Sequence, residues 1–99
     1  MYLDAYKNKI VELCEKHRVK HLFVLGSVLT DNFSNESDID FLVDINSKDP
    51  FTYAENYFNL KFELEDLLNR KIDLLEERAL KNKYFIDNIN NSKQLIYGS

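Results

Sequence analysis

One stretch near the middle of the chain, Asp38-Ile39-Asp40-Phe41-Leu42-Val43-Asp44-Ile45, leaves little freedom in how it can fold. Ile39, Phe41, Val43 and Ile45 fall on one side, and Asp38, Asp40, Leu42 and Asp44 on the other, which is the two-residue period of a β-strand. A slip of one residue would carry the acids into the interior, so the register is strongly specified. Aspartate is depleted in strand interiors. Two of them two residues apart have Cα atoms about 6.6 Å from each other on one face. Such a pair reads either as the solvated side of an edge strand or as a place where two carboxylates meet a ligand.

The flanking segments predict what packs around this strand. Leu3, Tyr6, Ile10, Leu13 and Cys14 recur at helical spacing from about Leu3 to His17. After Val19-Lys20, His21-Leu22-Phe23-Val24-Leu25 is a short apolar run ended by Gly26, a buried strand. Ser27 to Ser37 is polar and turn-rich, with Val28 and Leu29 able to start a helical turn. A helix is expected from about Thr52 to Asn69, with Phe58 and Phe62 widening its apolar face and Arg70 and Lys71 suiting its dipole. Lys71 to Leu75 reads as a third strand, Glu76 to Lys83 as a helical turn with Glu76-Glu77 solvated, and Tyr84 to Asn91 as a short helix. Leu95-Ile96-Tyr97 fits helix or strand, and Gly98-Ser99 reads as a frayed end. The fold class is therefore α/β (α+β): a small mixed sheet of about three strands packed with helices. The second and third strands, joined through the long helix, should be parallel neighbours in a right-handed crossover, and the first and second antiparallel.

The 99 residues fit one domain, taken as 1–99, and 44% hydrophobic residues can fill one core. A formal charge of -4 argues against direct binding of nucleic acid along a basic stripe. The one cysteine, Cys14, has no disulfide partner and lies on the apolar helix face. No run reaches the roughly 20 apolar residues of a membrane span, and the first residues do not read as a signal peptide. A cytoplasmic protein is the expectation; homo-oligomerisation is left open.

The chemistry rests on a combination. Gly26-Ser27 after the first strand lets backbone approach a ligand and offers groups that bond phosphate. Asp73 points away from Ile72 and Leu74, and a parallel neighbour strand would turn it to the face of Asp38 and Asp40. At about 5 Å and an effective dielectric near 20, each carboxylate pair repels by about 3 kcal/mol, which a cation would relieve. Oxygen-only ligands suit Mg²⁺ or Mn²⁺, and a pair of such ions serves phosphoryl and nucleotidyl transfer.

The run Gly26-Ser27, then Ser37-Asp38-Ile39-Asp40-Phe41-Leu42-Val43, with Asp73 after one helix, resembles the signature of the polymerase-β-type nucleotidyltransferases, and in particular their smallest branch, the minimal nucleotidyltransferases (MNT). The resemblance covers nearly the whole chain. It implies that Gly26, Ser27 and Ser37 serve nucleotide binding, that Asp38, Asp40 and Asp73 bind two Mg²⁺, and that Asp73 is also the general base. It implies ATP as substrate and a HEPN-type ribonuclease toxin as partner, with AMP passed to a tyrosine of that toxin by its antitoxin. One departure stands out. Family loops often follow Gly-Ser with a small residue, arginine and glycine, whereas this chain has Val28-Leu29-Thr30-Asp31. An antitoxin that neutralises the toxin by binding alone is the alternative. His17 and His21 read as structural or surface residues, and Asp44 as a solvated strand end.

Overall fold

The alternating stretch lies inside a four-stranded sheet. In the computed structural model, which describes residues 1–98, the strands are β1 (Val19–Leu25), β2 (Ile39–Ile45), β3 (Ile72–Glu76) and β4 (Gln94–Gly98). Their spatial order is β3-β2-β1-β4. β1 runs antiparallel to β2 and to β4, and β2 runs parallel to β3, as the long connection requires. The fourth strand exceeds the expected three. Only Ile96 of β4 is buried, so its extended state comes from pairing with β1 and not from local pattern. Gly98 closes that strand and is not frayed, while Ser99 lies outside the described residues.

Three helices complete the fold: α1 (Lys7–Lys16), α2 (Pro50–Leu68) and α3 (Lys83–Ser92). A 3₁₀ turn, Tyr2–Tyr6, leads into α1 and replaces the first turns of the expected helix. α2 begins earlier than expected because Asp49 accepts the Thr52 N–H at 2.8 Å and Pro50 supplies a preset φ at the first position. It ends at Asn69, which takes the left-handed conformation (φ 50°). Leu60, Leu64 and Leu68 form its buried stripe, spaced by fours. Phe58 and Phe62 do not join that stripe. They lie around the helix from it and are 51% and 57% exposed, because a step of two residues turns a helix through more than half a circle.

The face of the sheet carrying Ile39, Phe41, Val43 and Ile45 shares one core with Leu22 and Val24 of β1, Ile10 and Cys14 of α1, and the α2 leucines. Burial pushes the Cys14 thiol up to about 12, which makes it an inert core residue. The strand registers set out the opposite face in three rows. Leu25, Asp40 and Asp73 form the first, and Phe23, Leu42 and Leu75 the second. His21 and Asp44 form the third. Leu42 is only 1% exposed. It lines a cavity with Ile86 and Ile89 of α3, so that helix roofs the middle row.

Candidate active site

Asp40 is the hub of the acid row. It pairs with Asp73 across the parallel strands and with Leu25 across the antiparallel ones. Burial, then the charges of Asp73 and Asp38, hold the Asp40 carboxyl above the ordinary carboxylate range. Both neighbouring acids act on it in the same sense, and no lysine or arginine among the described residues relieves the repulsion. Asp38 and Asp73 are exposed, so the trio opens to solvent at one end of the sheet. Oxygen donors alone, mutually repelling and open on one side, fit a hard divalent cation.

Gly26 follows Leu25 directly and adopts φ 85°, ψ -154°, a region that essentially only glycine occupies. A Cβ there would stand 2.6 Å from Asp40 Oδ2. The glycine therefore makes the turn and also leaves room for the carboxylate. Ser27 opens a 3₁₀ turn, Ser27–Leu29, as the Val28-Leu29 pattern allowed. Thr30, where the resemblance leads one to expect an arginine, donates its N–H and its hydroxyl to the Ser27 carbonyl, both at 2.9 Å. The Ser37 hydroxyl faces its own loop, accepting from the Ser34 N–H at 3.1 Å and lying 3.3 Å from the Ser34 hydroxyl.

Arg70 is the residue that the sequence signalled least. Its Nη1 donates to the carbonyls of Ser34 at 3.0 Å and Ser37 at 2.7 Å. Its guanidinium lies over the adjacent rings of Tyr2 (4.8 Å) and Phe33 (4.5 Å). The loop that delivers Asp38 is thereby tied to the end of α2. A second group lies at the far end of the same face, where ligand atoms of His21, Asp44 and Glu77 come within 4.8 Å of one another. His21 Nε2 is 2.8 Å from Glu77 Oε2, and Arg78 donates twice to Asp44 Oδ1, at 3.0 and 3.1 Å. Asp44 is thus ion-paired with Arg78 and Glu77 hydrogen-bonded to His21, not simply solvated as the sequence suggested. An arginine already on the aspartate makes this a clasp between β1, β2 and the turn after β3.

Residues 8–99 match the family model described as Polymerase beta, Nucleotidyltransferase. The chain belongs to that family, whose members are nucleotidyltransferases. A relative from Methanocaldococcus jannaschii, named "Putative protein adenylyltransferase MJ0128", is 35% identical over 85 residues, spanning 86% of this chain and 82% of its own. Among solved structures, one described as "Structure of putative minimal nucleotidyltransferase" superposes with a TM-score of 0.76 at 26% identity, covering 93% of this chain and 90% of that one. A chain in the complex of tri-AMPylated Shewanella oneidensis HEPN toxin with MNT antitoxin superposes with a TM-score of 0.67 at 20% identity, over 100% of this chain and 74% of that one. Among the described residues, no helix is long and apolar enough to cross a membrane.

Proposed function

We propose that the chain is a Mg²⁺-dependent adenylyltransferase that moves AMP from ATP to a hydroxyl, a tyrosine of a partner HEPN-type toxin, and so acts as an antitoxin. The observation that carries this reading is the cross-strand pair Asp40–Asp73 with Asp38 beside it, next to a glycine where any Cβ would collide with Asp40. Asp38, Asp40 and Asp73 would hold Mg²⁺, which supplies charge neutralisation for the triphosphate. Gly26 lies against Asp40, and it and Ser27 after it would receive the phosphates through backbone N–H groups, with Ser37 in the adjoining loop. Asp73 is exposed and would accept the proton of the attacking hydroxyl. The tyrosine oxygen bonds to the α-phosphorus, the bond to the bridging oxygen breaks, and pyrophosphate leaves. Positioning and electrostatics supply most of the rate. The name of the M. jannaschii relative and the AMPylated state of the HEPN toxin in the Shewanella complex support the choice of AMP and partner.

The test is AMP transfer from labelled ATP to a co-expressed toxin, read by mass spectrometry. Asp40→Asn should abolish the added AMP while the fold stays intact; undiminished transfer by that variant would sink the assignment. Neutralisation by binding alone is the second reading. It is favoured by one observation: Thr30 spends both its donors on the Ser27 carbonyl, where the family places a cation. Under that reading Asp40→Asn still neutralises the toxin.

A further inference from the structure

The active face carries one apolar feature beside its acids. The cavity of about 330 Å³ under α3 is lined by the aliphatic side chains of Leu42, Leu80, Ile86 and Ile89 and by the polar ones of Glu77, Asn90 and Lys93. Leu42 stands two residues beyond Asp40 on the same face of β2, a distance of about 6.6 Å, the span of one ribose. Beyond the cavity the face turns charged again, through His21, Asp44 and Arg78, with Glu77 shared between that group and the cavity. Of the three rows, only the middle one carries aliphatic side chains on both β2 and β3, Leu42 and Leu75.

We infer that this cavity is the base subsite of the nucleotide, seating the nucleobase of the triphosphate against Leu42, Ile86 and Ile89. The inference rests on the adenylyltransferase reading and adds to it where the nucleoside lies. With phosphates at Gly26 and the α-phosphorus over Asp40 and Asp73, the sugar crosses one row and the ring enters the next. A base is flat and apolar on its faces and polar at its edge. The cavity matches that division: Leu42, Leu80, Ile86 and Ile89 offer aliphatic surface to the ring faces, and the Asn90 amide and Glu77 carboxylate beside them suit the ring and amino nitrogens of adenine. The volume lies at the lower end of small-molecule sites. Lys93 keeps its ammonium 4.0 Å from the Phe23 ring centroid, bounding the cavity on the β1 side.

The experiment is calorimetric titration in Mg²⁺ with two probes: the α,β-methylene analogue of ATP, and inorganic tripolyphosphate, which has no base. The wild-type chain should bind the analogue at least tenfold more tightly than tripolyphosphate. Ile86→Trp, which fills the cavity, should remove that advantage while leaving tripolyphosphate binding unchanged, and the retained binding shows that the site is folded. Asn90→Ala, at an exposed position, is the second arm and should weaken the analogue at least threefold without touching tripolyphosphate. Equal affinity of the wild type for both probes, or full analogue affinity in both variants, overturns the subsite alone and leaves the cavity to another occupant such as the acceptor's aromatic ring. Failure of both probes to bind overturns the adenylyltransferase reading as well.

Discussion

Arg70 reaches from the end of α2 to the carbonyl of Ser37, the residue before Asp38, at 2.7 Å. The contact makes the position of one acid depend on a helix far along the chain. Lysine keeps the charge but loses the planar fork and its stacking on Tyr2 and Phe33. Arg70→Lys should therefore lower kcat/KM for AMP transfer about tenfold and raise the Mg²⁺ concentration needed for half-maximal rate, with little loss of helicity. An unchanged Mg²⁺ dependence would mean that the Asp38 loop holds itself.

Asp40 sets a second expectation. Its native carboxyl titrates above the unfolded value, through burial and then through Asp73 and Asp38. The native state thus binds the proton more tightly, so the metal-free protein loses stability as pH rises from the unfolded value through the native one. Asp40→Asn removes that penalty. At pH 7 without divalent ions it should raise Tm by a few degrees, and the further rise on adding Mg²⁺ that is expected of the wild type should be absent. Thermal denaturation with and without Mg²⁺ reads both effects.

Gly26→Ala should be costly out of proportion to one methyl group. The new Cβ would meet Asp40 Oδ2 at 2.6 Å while holding a backbone conformation that alanine rarely adopts. About 1–3 kcal/mol of stability should be lost, measured by urea unfolding. Mg²⁺ binding should fall further than that destabilisation alone produces, because the carboxylate has to move.

A fourth expectation concerns the back of the molecule. Glu63 of α2 meets Lys16 at 2.8 Å and also His17, which is 5% exposed. Lys16 first and then His17 hold its carboxyl below the usual range. A depressed carboxylate stabilises the fold above its unfolded value and loses that contribution as pH falls through the native one. Glu63 is about a third exposed, so screening reduces the effect. Glu63→Gln should cost about 1 kcal/mol at pH 7, and the gap to the wild type should close in acid.

These residues also mark how far the sequence could be read. Asp38 and Asp40 were legible because Ile39, Phe41, Val43 and Ile45 fix their direction, and Asp73 because a long helix between strands implies parallel pairing. The legible features are local periods or follow from topology. Arg70 looked like ordinary dipole chemistry at a helix end, and its bond to Ser37 is a tertiary contact with no local pattern. The same holds for Glu77, which reads as solvated until β3 carries it to His21. β4 has too few buried residues to announce itself. Phe58 and Phe62 misled because aromatic residues on two sides of one helix look like a single wide stripe.

The parallel pairing of β2 and β3 has a consequence for the order of folding. A hairpin such as β1–β2 closes over a shorter loop, whereas Asp40 meets Asp73 only through a parallel pairing that spans the nineteen residues of α2, a contact that pays more loop-closure entropy and forms more slowly. Partly folded chains therefore own the acids without owning a binding centre. Magnesium uptake would report the completion of this chain, and a kinetic trace of ion capture should lag behind the appearance of helix.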